Sequence, residues 1–232
     1  MSNRDIRQRD LVPAPRLDAV TVLIIGVGAI GKQVANILAA LGVRDMTLVD
    51  FDTVDVENLA VQGYRPDQIG QPKVFANREL MAMNPGKLFI QPINDKFRED
   101  LIIPGLRDGK KLVTFVCVDD IDVRKEIWKS MKASPAYSSS FELLIDGRMA
   151  GETFEVYTYL KDEHSEYYRN TFFPKSETYP MPCTAKSTLY TSYTVAGVMV
   201  GEFVKWLRDR RDAMCLRQSF SMSASEFSAD YR

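Results

Sequence analysis

The sequence predicts an α/β protein on a Rossmann-like doubly wound sheet, parallel in its first half and mixed in its second. Short apolar, β-branched runs alternate with helix-periodic segments as far as residue 132, the pattern of a parallel sheet covered by helices. The first run, 21–25, leads directly into Gly26-Val-Gly28-Ala29-Ile30-Gly31 and then into a helix. Beyond residue 140, the stretches 141–145 and 153–160 read as two further strands that extend the sheet as an antiparallel pair.

Taken in order, residues 1–19 form a polar arm with Arg4, Arg7, Arg9, Pro13 and Pro15. After the 21–25 strand, Val34, Ile37, Leu38 and Leu41 recur at helical spacing, and Gly42 suits the helix end. Residues 46–50 form the next strand, closing on Asp50. The connection 51–71 is long and polar, which inside a compact domain signals function. Pro72 opens a helix to about Met83, ended by Asn84-Pro85-Gly86. Strands follow at 87–92 and 111–118, the second closing on Asp119 and Asp120. A helix over 122–132 carries Val123, Ile127 and Met131 on one face. Residues 161–185, marked by Pro174, Pro180 and Pro182, read as a long crossover loop. The segment 189–208 reads as a long helix with an apolar stripe from Leu189 to Leu207. The expected division is an arm (1–19), one domain (20–208) and a loose serine-rich tail (209–232).

Composition narrows the function. The 232 residues are 45% hydrophobic and 26% charged, with a net charge of −1, so there is no overall basic footprint for nucleic acid. No apolar run approaches the roughly 20 residues of a membrane helix. The charged N-terminus lacks a signal-peptide core, so a cytoplasmic protein is expected. Three dispersed cysteines (117, 183, 215) and one histidine, His164, cannot build a disulfide framework, a paired-cysteine zinc site or a multi-histidine centre.

The glycine-rich turn provides bare backbone N–H groups at a helix start, where a phosphate binds well. Asp50, 19 residues after Gly31, is placed to accept ribose hydroxyls. The turn alone does not separate NAD, FAD and ATP. Its structural alternative is a glycine turn that only eases helix–strand packing. Asp119, after a later strand, is either a Mg²⁺ carboxylate beside a polyphosphate or a helix N-cap.

Asp50-Phe-Asp52-Thr-Val-Asp55-Val-Glu-Asn58-Leu-Ala-Val-Gln62, Gly70-Gln-Pro-Lys73, Cys117-Val-Asp119-Asp120 and Arg148-Met-Ala-Gly follow the glycine turn in order. In these segments, over about residues 4–208, the sequence resembles the ThiF/MoeB and ubiquitin-activating superfamily. The resemblance implies ATP and Mg²⁺ as cofactors, and adenylation of the C-terminal carboxylate of a small β-grasp, ubiquitin-like protein or peptide. It implies nucleotide contacts from Gly26, Gly28, Ala29, Ile30, Gly31, Asp50, Asp52, Asn58, Gln62 and Lys73, with Mg²⁺ on Asp119. It also implies a homodimer, with Arg7 or Arg9 reaching the partner's site. Met181-Pro-Cys183-Thr184 resembles the family's thioester element, which makes Cys183 the candidate acyl acceptor. Val61 departs from the family, standing where an arginine is usual; Arg65 is the candidate substitute. Asp120 stands where an asparagine is common. Two rivals remain at this stage: an NAD(P)-dependent oxidoreductase using the same turn, and a non-catalytic module that keeps the fold without turnover.

Overall fold

β1 (Val20–Ile25) is buried at every position, as a central strand covered on both faces requires. It pairs in parallel with β2 (Asp45–Val49) on one side and β4 (Lys111–Val116) on the other. β3 (Phe89–Ile93) lies parallel beyond β2, and β5 (Phe141–Ala150) parallel beyond β4. β6 (Thr153–Leu160), β7 (Cys215–Ser221) and β8 (Glu226–Tyr231) continue antiparallel. The resulting order is β3-β2-β1-β4-β5-β6-β7-β8. This is a computed structural model, and it describes residues 7, 8, 10–82, 88–104, 106, 109–161, 163–174 and 187–231.

Helices cover both faces. α2 (Ala29–Leu41), α4 (Lys73–Ala82) and α7 (Leu189–Leu207) bury Val34 and Leu38, Val74 and Met81, and Val195, Met199 and Phe203 against Val22, Ile24 and Phe115. On the other face, α5 (Ile121–Ala133) and the short α6 (Ser165–Arg169) place Ile127, Trp128, Met131 and Tyr168 over Leu23, Ile25 and Leu144. Among the described residues the other α-helices are α1 (Ala14–Leu17) and α3 (Val56–Gln62). Local chemistry fixes the helix ends. α2 stops at Gly42, whose φ of +102° is left-handed. Asp120 caps α5 by accepting the N–H groups of Asp122 and Val123.

Four expectations are corrected. The stretch after 208 is not a loose tail: β7 and β8 form a hairpin on the main sheet, held by a stack of Phe154 on Phe220 (ring centroids 4.7 Å apart) and Phe220 on Phe227 (4.6 Å). Cys215, within that expected tail, is buried in β7, and its N–H donates to Glu202. The polar connection 51–71 contains α3 and a 3-10 turn, Pro66–Gln68. The crossover 161–185 contains α6; Cys183 lies outside the described residues, as does the expected helix end near Met83.

Candidate active site

The strand order reverses direction between β1 and β4, so the loops after these strands diverge and leave a crevice at their carboxyl ends. The glycine turn forms one lip. Gly26 has φ +88°, and a Cβ there would lie 2.7 Å from the Cys117 backbone. A Cβ on Gly31 would lie 1.8 Å from the Gly26 carbonyl oxygen. Both positions therefore demand glycine for internal reasons. Gly28 does not: a Cβ there would meet only the Gln62 side chain, at 3.9 Å. The space over Gly28 is open, as a phosphate cradle at a helix start would require. Beside it, Gln62 holds a buried Oε1 without a hydrogen-bond partner among the described residues. Ala29 and Ile30 form the first turn of α2. The Ile30 side chain packs toward Gly147.

Asp50 ties the lips together. Its Oδ2 accepts the Val27 N–H at 2.6 Å, and its Oδ1 accepts the Asp52 N–H at 2.8 Å. Burial pushes its carboxyl above the ordinary range, against those two N–H bonds and the charge of Lys73. The carboxylate is thus an organiser of both loops, and Asp52, half exposed, is the acid that faces outward. The connection 51–72 folds back on itself: Val54 N–H donates to the Gln71 carbonyl (2.8 Å), Gly70 N–H to the Val54 carbonyl (2.9 Å) and Lys73 N–H to the Asp52 carbonyl (2.9 Å). This return sets Lys73, 6% exposed, at the head of α4 with its Nζ 2.9 Å from Asp52 Oδ2. Twenty-one residues of chain separate two groups that the fold brings into contact.

Asp119 is exposed and makes no hydrogen bond or ion pair among the described residues. The capping duty falls on Asp120 instead, so the carboxylate of Asp119 is uncommitted. One carboxylate plus phosphate oxygens is a usual environment for Mg²⁺; the residues present fit that ion. The adjoining Cys117 is packed against Gly26 and Gly31, and burial pushes its thiol up to about 12, so it is an inert core group.

The other predicted residues are placed differently. Asn58 closes the capping box of α3, its Oδ1 accepting the Asp55 N–H at 3.0 Å; the structural role is present, and only its amide N–H groups remain for a ligand oxygen. Arg65 forks onto Asp67 through Nε (2.9 Å) and Nη2 (2.8 Å). Its guanidinium is paired with that exposed acid. Arg7 is exposed, and Arg9 lies outside the described residues.

Sequence reasoning missed a buried network at the ends of β4 and β5. Asp146, fully buried, accepts from Arg124, from Arg148 Nε at 2.8 Å and from the Tyr168 hydroxyl at 3.0 Å. Arg124 also donates to the Val118 carbonyl, immediately before Asp119, and to the Gly147 carbonyl at 3.1 Å. Arg148 also donates to the Thr171 carbonyl at 2.9 Å. Burial lowers Arg124 to about 10 and raises Tyr168 to about 12, so both keep their protons. This network fixes the Asp119 loop to α5, β5 and the start of the crossover. Nothing in the sequence pairs these residues, because 22 positions separate Arg124 from Asp146.

A glycine turn after β1, an acid-paired lysine at the head of α4 and a free carboxylate after β4 lie on an α/β sheet with its crevice between β1 and β4. The chain belongs to the ThiF family, whose pattern matches residues 4–230. It is 33% identical over 166 residues to the molybdopterin-synthase adenylyltransferase of Salmonella typhimurium, covering 69% of this chain and 64% of that protein. It is 31% identical over 121 residues to the ubiquitin-like modifier-activating enzyme 5 of Caenorhabditis elegans, covering 48% of this chain and 29% of that one. The chain thus spans less than two thirds of the length of these curated relatives. Its fold matches that of E. coli MccB solved with AMPCPP and MccA, at a TM-score of 0.75 and 16% identity over 99% of this chain and 71% of that one. It also matches PaaA at a TM-score of 0.73 and 17% identity, over 100% of this chain and 74% of that one. No helix among the described residues is long and apolar enough to cross a membrane.

Proposed function

We propose that the protein is an ATP-dependent adenylyltransferase that activates the C-terminal carboxylate of a small ubiquitin-like or sulfur-carrier protein. The observation that carries this reading is the set of Gly28 after β1, Lys73 paired with Asp52 after β2, and Asp119 after β4, with Gly28 open and Asp119 uncommitted. The names of the Salmonella and nematode relatives point to the same chemistry. In this reading the backbone of the glycine turn receives the phosphates. Lys73 exchanges Asp52 for a phosphate oxygen and neutralises charge as it develops, while Asp52 is released to meet ribose hydroxyls. Asp119 would hold Mg²⁺, which supplies further charge neutralisation when bound. The carrier's carboxylate attacks the α-phosphorus, pyrophosphate leaves with the bond electrons, and an acyl-adenylate results. An NAD(P)-dependent oxidoreductase would leave Lys73 and Asp119 without a task. A cytoplasmic setting supplies both ATP and a reduced thiol.

Calorimetry should show Mg-ATP binding and no comparable NADH binding, and a carrier protein should support ATP–pyrophosphate exchange. NADH binding without Mg-ATP binding would refute the proposal; Mg-ATP binding without exchange over a panel of carriers would favour the non-catalytic module.

Cys183 completes the reading as the acyl acceptor. Its thiolate would attack the acyl carbon and expel AMP, leaving a thioester. Wild type with ATP and carrier should then give a thiol-labile adduct, and Cys183→Ala should lose it while pyrophosphate exchange persists. Normal conjugated or sulfur-bearing product from Cys183→Ala would show that the enzyme stops at the adenylate. The assembly proposed is a homodimer with Arg7 or Arg9 acting across it. Light scattering should give twice the chain mass, and a fully active monomer would exclude the trans role.

A further inference from the structure

Lys32 follows the glycine turn by one residue and is 3% exposed. Its ammonium donates to the Gly63 carbonyl at 2.9 Å and lies 5.1 Å from the centroid of the Tyr64 ring. Among the described residues no carboxylate is within ion-pair distance of it. Lysines this deeply buried are normally paired with an acid, because an ammonium held by neutral groups alone keeps most of its desolvation cost. Burial accordingly pulls it down to about 8.

The surroundings point to the missing anion. Residues 62–64 form the wall that holds Lys32, and the same residues touch the glycine turn. Gly63 accepts from Lys32. The Tyr64 hydroxyl donates to the Val27 carbonyl at 2.8 Å. Gln62 lays its amide 3.9–4.0 Å from the space over Gly28, with its Oε1 buried and unpartnered. A cation without a counter-charge therefore stands behind the one glycine of the turn that the protein's own packing leaves open.

We propose that Lys32 is an anion-binding residue of this crevice, which takes the phosphate groups of the nucleotide received at Gly28; the inference rests on the nucleotide reading above. A phosphate oxygen is a stronger acceptor than the Gly63 carbonyl and supplies the charge the site lacks. The flexible four-carbon stem lets the ammonium exchange one for the other. The competing account is structural: Lys32 would merely pin α3 to α2 through Gly63.

Lys32→Met separates the two, since it keeps the stem's volume and deletes the charge. Titration calorimetry with ATP, inorganic tripolyphosphate and adenosine, together with thermal melts without ligand, reads the difference. Lys32→Met should bind ATP and tripolyphosphate weaker by roughly tenfold or more, the worth of one charged hydrogen bond, and adenosine with unchanged affinity. Its melting temperature should stay level or rise, because an uncompensated buried charge is gone. Lys32→Arg should retain more ATP affinity than Lys32→Met. Equal ATP affinity in wild type and Lys32→Met would overturn the proposal. So would a parallel loss of ATP and adenosine binding with a lower melting temperature, which is the structural signature. Wild type that binds none of the three probes would bring down the nucleotide reading itself, and the inference with it.

Discussion

Asp119→Ala is expected to lower ATP–pyrophosphate exchange by roughly 100-fold or more, the scale of losing a group that stabilises transition-state charge. The melting temperature should hardly move. Asp119 is exposed and holds no hydrogen bond or ion pair among the described residues, and such surface changes stay within about 0.5 kcal/mol. The neighbouring Asp120→Ala should show the opposite pattern. It removes the cap on α5, at a cost of about 1 kcal/mol, and should leave exchange near the wild-type rate. Adjacent carboxylates thus divide stability from chemistry. The assignment fails if Asp119→Ala retains full exchange, or if Asp120→Ala is the inactive one. Titrating Mg²⁺ at fixed ATP adds a second readout: the gain in ATP affinity on adding Mg²⁺ should vanish in Asp119→Ala.

What the sequence revealed follows from how each element is stabilised. β1, the glycine turn, α2 and β2 were legible because a strand buried on both faces is continuously apolar, and because the turn needs glycines at fixed spacing. The 153–160 strand was read at the bounds it has, Thr153–Leu160. β7 and β8 were hidden because polar residues interrupt their apolar pattern: β8 is the edge strand, and β7 beside it is only partly buried. Arg217, Gln218, Ser219 and Ser221 read as tail, although Phe220 and Phe227 on either side of the turn were an available hairpin signal. In the site, Asp52 and Lys73 could be named but not joined, since their contact depends on the return of 51–72 along itself. Lys32, Arg124 and Asp146 escaped for a different reason. A charged residue on a helix or strand reads as solvated until the tertiary structure buries it, and only the partners then reveal what it does.

The three glycines of the turn should separate folding from binding in one series. Gly31→Ala would drive a methyl to 1.8 Å from the Gly26 carbonyl oxygen, and Gly26→Ala would place one 2.7 Å from the Cys117 backbone at a φ of +88°. Backbone atoms cannot yield as a side-chain end does, so each should cost about 1–3 kcal/mol or more, a fall of roughly 2–4 °C per kcal/mol for a chain of this size. Gly28→Ala meets nothing closer than 3.9 Å, and its φ of −82° lies outside the left-handed region, so it should melt closer to the wild type than the other two variants. The methyl nevertheless fills the space over the turn and forces a bound phosphate away from the backbone N–H groups. Losing two such bonds, at about 1.5–3 kcal/mol each, should weaken ATP by a hundredfold or more, while adenosine binding is spared. Calorimetry and melts on the three variants test this together. If Gly28→Ala bound ATP as wild type does, the open glycine would be no phosphate cradle, and the adenylation reading would lose the observation on which it stands.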